Sequence, residues 1–216
     1  YLRNIKMGIR EGLPFPRGSS FAAGQTIDSA NLPGVQLEGQ IVNLTDSSTV
    51  TDGTNVRTIR SDGDVLARVM RNVSTGTFAM TGGRFVLHEA LYRNKRFNGY
   101  VNTAGAECAG VLDDQLPSGG VQGNDLAYVI FSGQVLVKTP LASGEFASAW
   151  SEGDVLVGLA AATSQATTAG RAYKIPNTAQ TTHQYVEIVN RLGRVMSAKT
   201  NGQTNEDCLV DVKINA

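Results

Sequence analysis

The chain has 216 residues, of which 41% are hydrophobic and 18% charged, with 19 basic and 19 acidic residues. This length allows one large β domain, or two small ones, with a buried core. A formal net charge of zero lacks the basic excess of a nucleic-acid-binding protein, and no apolar run approaches the roughly 20 residues of a membrane-spanning helix. We therefore expect neither a nucleic acid nor a membrane as a partner.

Residues 1–34 are predicted to form an extended N-terminal arm. The segment 12–18 contains two prolines and two glycines, and proline removes a backbone donor that a helix or a central strand needs. Residues 1–17 hold four basic residues against Glu11, so their net charge is four minus one, or +3. This charge is typical either of a solvated tail or of an arm that docks on an acidic partner surface. The candidate docking residues are Arg3, Lys6, Arg10 and Arg17.

Residues 35–216 are predicted to form a β domain, with two subdomains, 35–100 and 101–216, as the alternative division. Apolar residues recur at every second position in several short runs, as a half-buried strand requires. The predicted strands place the following sets on one face each: Val35, Leu37, Gly39 and Ile41; Val65, Ala67 and Val69; Val129, Phe131, Gly133, Val135 and Val137; Cys208, Val210, Val212 and Ile214.

Turn-forming dipeptides separate these runs, and glycine totals 24 residues. Glycine supplies the positive φ that tight hairpins need, so short strands between such turns favour a sandwich or a barrel. The predicted fold is all-β: a single β-sandwich or β-barrel of short antiparallel strands. The turn dipeptides are Asp52-Gly53, Asp62-Gly63, Gly82-Gly83, Asn98-Gly99, Gly119-Gly120 and Asn201-Gly202.

Two further segments leave alternatives open. Residues 181–196 have apolar residues near helical spacing, but Gly193 and a β-branched run favour a strand. A short helix is the other option near 146–150. The hexapeptide at 61–66, Ser-Asp-Gly-Asp-Val-Leu, nearly recurs at 151–156, and in both places it predicts a turn that leads into a strand. Duplication of a β unit is the alternative explanation.

Cys108 and Cys208 lie a hundred positions apart and form no Cys-x-x-Cys pair, so we expect no structural zinc site. Apolar neighbours favour two buried free thiols, although a disulfide stays open because it depends on whether their strands are adjacent.

Catalytic signatures are scarce. The two histidines, His88 and His183, accompany no nucleophile elbow, phosphate-binding loop or dinucleotide fingerprint. Asp113-Asp114 would point to opposite faces of a strand, so a turn is favoured over a glycosidase pair. Asp62 and the neighbouring Asp64 lack the remaining ligands of a calcium loop. We predict no enzyme activity, no cofactor and no metal site.

Residues 92–97 place three basic residues between two aromatic ones. This pattern could stack on bases and hold phosphates, but it is also typical of an exposed hairpin tip. A carbohydrate-binding module would need a platform of exposed aromatic residues, and Trp150 is the only tryptophan.

A series of turn-and-strand motifs follows one another along the chain: Arg71–Gly76, Gly82–Val86, Gly99-Tyr-Val, Ala109–Asp114, Leu116–Leu126, Tyr128–Val137, Gly153-Asp-Val-Leu, Gly193-Arg-Val and Cys208–Ile214. The order of these motifs resembles that of the decoration (head cement) proteins of tailed-phage capsids. The resemblance covers about residues 65–214 and is strongest over 99–140, whereas the arm is not covered.

This resemblance implies a viral structural protein without catalytic residues. Such a protein is made in the host cytoplasm, binds the major capsid protein on the outer surface of the virion and stabilises the shell, commonly as a homodimer or homotrimer. Another virion β protein, from the tail, baseplate or fibre base, is the alternative. A carbohydrate-binding module and a hydrolase with a cryptic site rank below both.

Overall fold

The computed structural model describes residues 38–44, 49–52, 55–58, 65–75, 79–102, 107–116, 119–141, 149–158, 169–174, 192–200 and 203–214. Within these ranges every regular element is a β-strand, which confirms the predicted all-β class. The strands are β1 (Ile41–Leu44), β2 (Thr49–Asp52), β3 (Asn55–Thr58), β4 (Val65–Asn72), β5 (Phe85–His88), β6 (Arg96–Tyr100), β7 (Cys108–Leu112), β8 (Leu126–Lys138), β9 (Val155–Gly158), β10 (Ala172–Lys174), β11 (Gly193–Val195) and β12 (Asp207–Lys213).

Five strands close into a barrel. Ten strands form one sheet in the order β1-β4-β6-β5-β7-β8-β12-β11-β9-β10, and a further pairing of β4 with β8 closes the ring β4-β6-β5-β7-β8. A barrel, and not a sandwich, is therefore the architecture of the described chain. The pairings in this sheet are antiparallel except for β4 with β6, which is parallel at Arg71 and Asn72. β2 and β3 form a separate hairpin in which Asp52 lies opposite Asn55.

The ring uses strands from both sides of residue 100, the predicted limit between two subdomains. The other strands of the sheet lie outside the ring. β1 pairs with β4, and on the other side β8 is followed in the sheet order by β12, β11, β9 and β10. The domain boundaries themselves stay predictions.

Two large buried clusters hold these strands together. The barrel core takes side chains from all five ring strands, as expected for a barrel interior: Met70, Val86, Phe97, Tyr100, Ala109, Leu112, Ala127 and Val129, with Met80, Val121 and Ala169 from the connections. The outer core joins the other face of β4, β7 and β8 to the strands outside the ring. Full burial of one aliphatic or aromatic side chain contributes about 1.5–3 kcal/mol, so both clusters contribute strongly to folding.

β8 joins the barrel to the outer strands. Its 13 residues are rich in β-branched and aromatic side chains, which favour extended backbone. Residues 126–132 pair with β4 and, in part, with β7, whereas residues 132–138 pair with β12. One strand thus belongs to the ring over its first half and to the outer sheet over its second half.

A β-bulge at Phe131 changes the facing of side chains along β8. In β4, Ala67 is opposite Ile130 but the preceding Leu66 is opposite Ser132, so the register skips one residue of β8. Such an extra residue shifts every following side chain to the other face of the strand.

The prediction that alternate residues from Val129 to Val137 share one face is therefore wrong. Val135 and Val137 pack in the outer core together with Tyr128 and Ile130, whereas Val129 packs in the barrel core. The period-two pattern holds on each side of the bulge and fails across it.

The predicted alternation in β12 is confirmed. Cys208, Val210 and Val212 are buried in the outer core, and Ile214 packs against it. On the opposite face of β12, Asp211 and Lys213 are exposed. β4 confirms the predicted strand at 65–70, but it is buried on both faces from residue 67 to residue 70. Ala67 and Val69 pack in the outer core, whereas Met70 packs in the barrel core.

Two local predictions need correction. A strand was predicted over 35–41, of which residues 38–41 are described. Gly39 lies in a turn with φ +88°, and β1 begins only at Ile41. Asn98-Gly99 is not a turn. It lies within β6, where Gly99 has φ +81° and the register with β5 skips a residue, so the glycine serves a β-bulge.

The two segments with open alternatives are described only in part. Gly193–Val195 is strand β11, as favoured, and residues 175–191 lie outside the described residues. Trp150 forms an isolated β-bridge with Lys199, and residues 142–148 lie outside the description. Both copies of the repeated hexapeptide run into a strand, β4 at Val65 and β9 at Val155, while residues 61–64 are not described.

The packing of β7 on β8 leads to a stability prediction. Gly110 has φ +152°, and a Cβ there would lie 2.4 Å from the Ile130 carbonyl oxygen. Gly110→Ala should therefore lower the free energy of unfolding by about 2–4 kcal/mol, measured by denaturant titration with the fluorescence of the buried Trp150. Gly119→Ala is the control, because a Cβ there meets nothing within 4 Å, and it should change the value by less than about 0.5 kcal/mol. Equal stability of the two variants would contradict the close approach.

Candidate interaction surface

The predicted docking residues Arg3, Lys6, Arg10 and Arg17 all lie outside the described residues. Their role stays a prediction. The description begins at Glu38, so the surroundings of that residue show where the N-terminal segment joins the barrel.

His88 ends β5 and takes part in a structural contact. Its Nδ1–H donates to the Arg93 carbonyl oxygen in the connection to β6. Burial lowers the pKa of His88, and the charges of Arg93 and Arg68 lower it further against the effect of that backbone hydrogen bond. The imidazole is therefore neutral near pH 7, and its hydrogen bond stabilises the loop that follows β5. His183 and the pair Asp62 and Asp64 lie outside the described residues.

Asp113 and Asp114 follow β7 and stabilise turns, as predicted. The Oδ1 of Asp113 accepts a hydrogen bond from the Gln115 backbone N–H at 3.2 Å. The Oδ2 of Asp114 accepts one from the Leu136 N–H at 2.7 Å and so ties this turn to β8. Tyr128 lies in the outer core. Burial, and to a smaller extent the charge of Asp113, raise the pKa of this phenol.

Two buried arginines also have structural partners. Arg84 donates from Nε to the Ala169 carbonyl oxygen at 2.7 Å and lies over the Tyr100 ring, 3.7 Å from its centroid. Arg171 donates to the Thr139 carbonyl oxygen at 2.8 Å. Burial lowers the pKa of Arg84 to about 10, so it still carries its charge at neutral pH. Arg84 thus binds the segment before β10, and Arg171 binds the segment after β8.

Trp150 is buried at 2% exposure and so presents no aromatic platform to a ligand. Within the described ranges, no group of three or more histidine, cysteine, aspartate or glutamate side chains is placed to hold a metal ion. The same part of the chain has no helix long and apolar enough to cross a membrane.

The most exposed apolar side chains belong to the connection between β5 and β6. We call residues 89–96 the β5–β6 tip. Leu91 is 82% exposed and Tyr92 48% exposed, and Leu141 at 39% is the remaining large exposed hydrophobic residue of the described chain. Phe97, by contrast, is fully buried in the barrel core. The two aromatics of the 92–97 pattern therefore cannot stack together on bases, because only Tyr92 is accessible.

Hydrogen bonds link the tip to itself and to β4. The Tyr92 carbonyl oxygen accepts from the backbone N–H groups of Lys95 and Arg96, both at 2.9 Å. The Glu89 carboxylate accepts from the Tyr92 N–H at 2.7 Å, and the Asn94 Oδ1 accepts from Arg68 at 3.0 Å. The last contact ties the tip to β4.

Ion pairs surround the tip. The Arg96 guanidinium lies over the Tyr92 ring, 4.2 Å from its centroid, and its Nε is 3.4 Å from a Glu38 carboxylate oxygen. The other oxygen of Glu38 accepts from Arg71 of β4. Arg93 forms an exposed ion pair with Glu107. The N-terminal segment therefore joins the barrel at the base of this tip.

Residues 92–97 were predicted to be either a nucleic-acid site or an exposed hairpin tip. The structure shows the hairpin, which β5 and β6 form. The exposed Leu91 was not predicted. The signal that could have found this residue is an apolar pair, Leu91-Tyr92, in a segment otherwise expected to be a polar turn, because large exposed apolar side chains on a turn have no folding role.

No protein-family model matches this sequence, and no curated protein matches it either.

The cysteines give a prediction that separates free thiols from a disulfide. Both are free and buried, and burial raises the pKa of the Cys108 thiol to about 12. At pH 8 neither should react with an aromatic disulfide reagent in the folded protein, since the reactive thiolate is scarce and shielded. Two thiols per chain should react in denaturant without reductant. Fewer than two would contradict the free-thiol assignment.

Proposed function

We propose that this chain is a capsid decoration protein, which binds the outer surface of an assembled phage shell and stabilises it. The observation that carries the proposal is the motif order over residues 99–140. This run supplies the end of β6 and the whole of β7 and β8, which are three of the five strands of the ring. The residues that produce the resemblance are therefore those that build the barrel.

The chemistry of the described residues supports a binding role. The titratable side chains examined in sequence, His88, Asp113 and Asp114, are engaged in loop and turn contacts. Two of the three large exposed apolar residues of the described chain, in contrast, lie together on the β5–β6 tip. A closed barrel with exposed apolar side chains on a described connection is suited to contact with another macromolecule.

Linkage explains how such binding stabilises a shell. A protein that binds the assembled lattice better than free subunits shifts the equilibrium toward the lattice by its differential binding free energy. We further propose that the chain acts as a homodimer or homotrimer at a local symmetry axis, where several copies of one contact bind at once. Its main partner is then the major capsid protein, and its location is the outer face of the virion.

Co-sedimentation tests this function. Expanded shells that lack the chain should bind the purified protein saturably, whereas free major capsid subunits should not, because the binding surface is complete only in the lattice. The saturating ratio gives the copy number and so the symmetry site. Absence of binding to shells would overturn the proposal and favour a tail, baseplate or fibre-base component, to be located by labelling intact virions.

The predicted role of the arm has its own test. Changing Arg3, Lys6, Arg10 and Arg17 to Gln should weaken shell binding by about tenfold or more at low salt and reduce its salt dependence, because several screened charge pairs are lost. Arg194→Gln with Lys213→Gln is the control, since both residues are exposed on outer strands. Unchanged binding and salt dependence in the arm variant would exclude the arm from docking.

A further inference from the structure

We propose that the β5–β6 tip is a docking element and that it inserts into an apolar pocket with an acidic rim on the major capsid protein. The inference rests on the proposed function and adds to it the contact residues and the chemistry of the partner surface. Leu91 is the anchor, and Tyr92 with its stacked Arg96 forms the adjoining contact.

The first argument is exposure. Two of the three large exposed hydrophobic residues in the described chain are neighbours on this loop. A single exposed leucine is common on protein surfaces, but an adjacent apolar and aromatic pair at the end of a projecting hairpin is typical of an interface anchor. Neither side chain contributes to the barrel core or the outer core. Packing in the two cores therefore does not account for their apolar character, and the intramolecular ring contact is that of Tyr92 with Arg96.

The second argument is internal bonding. Backbone hydrogen bonds to the Tyr92 carbonyl, the Glu89 contact and the bond from Arg68 to Asn94 are made within the chain, without a partner. Ordering a flexible loop costs free energy on binding, so a loop that is already ordered binds more tightly with the same contacts.

The third argument is charge. Residues 89–96 contain three basic residues and Glu89, so their net charge is three minus one, or +2. Glu38 and Glu107 together offset this charge, but Glu38 also pairs with Arg71 of β4. The Arg93–Glu107 pair is more than half exposed at both side chains, and such pairs contribute little to stability. Carboxylates on a partner can therefore replace Glu107. An acidic rim is the complement of this tip.

The fourth argument is the contact between the tip and the first described residues. Gly39 lies against the tip, since a Cβ there would be 3.1 Å from the Asn94 carbonyl oxygen and 3.2 Å from Lys95 Cγ. The predicted arm precedes this residue in the sequence, and the net charge of +3 in residues 1–17 favours the same acidic partner surface as the tip.

The test compares shell binding of Leu91→Ser/Tyr92→Ser with that of wild type and of Leu141→Ser, which changes the third exposed hydrophobic residue. Loss of two central contacts should weaken binding about tenfold or more. The control should bind within about twofold of wild type, as expected for a residue outside the hot spot. Circular dichroism and thermal unfolding should be the same for all, because the altered side chains are exposed.

A charge pair of variants tests the acidic rim. Lys95→Glu should weaken binding and Lys213→Glu should not, although both residues are exposed and both changes alter the net charge by two. The difference between the two variants should shrink at high salt, because screening removes the repulsion from the rim. Equal effects of both changes would overturn the acidic rim.

The outcomes are distinguishable. If wild type does not bind shells, the proposed function and the tip assignment both fall. If wild type binds and the double variant binds equally well, the tip assignment alone falls. If the double variant loses self-association in sedimentation velocity while each bound copy keeps its shell affinity, the tip is occupied by a second copy of this chain, and the assignment to the capsid surface is overturned.

Discussion

The fold depends on one strand that takes part in two structures. β8 must close the ring against β4 and β7 and then continue as the base on which β12 pairs. A regular 13-residue strand would keep one set of side chains on one face throughout. The bulge at Phe131 allows the strand to direct Val129 into the barrel core and Val135 into the outer core. Both faces of β8 are already buried over residues 126–130, before the bulge, and the bulge keeps Val135 and Val137 in the outer core, to which β12 contributes side chains.

Closure of the ring also depends on close backbone contact at glycine. Gly110 of β7 lies where a Cβ would meet the Ile130 carbonyl oxygen of β8, and Gly99 forms the bulge through which β6 adjusts to β5. A five-stranded ring is narrow, so its strands coil strongly and local extra residues relieve the mismatch in register. Glycines that composition alone would place in turns are thus partly used inside strands.

These irregularities set the limit of what the sequence could predict. β12 has no bulge, and its alternation from Cys208 to Val212 was read correctly, as was the strand at Val65. The face assignments in β8 and the turn at Asn98-Gly99 failed for a common reason. A bulge is a consequence of pairing with a particular partner strand, and pairing between distant segments leaves no local signal. The choice of a barrel over a sandwich was beyond prediction on the same grounds, since it requires the contact of β4 with β8. The tip was missed because exposure of Leu91 is decided by what the barrel leaves uncovered.

A closed barrel restricts where a partner can bind. Ring strands have no free edges within the ring, and both faces of β4, β7 and β8 are covered by the two cores. A partner can therefore reach the connections, the edge strands β1 and β10, and the exposed side chains of β11 and β12. Among the described connections, the β5–β6 tip combines exposed apolar groups with internal hydrogen bonds, and the bond from Arg68 to Asn94 links it to β4. Under the proposed function, a shell contact at the tip would lie one hydrogen bond away from this ring strand.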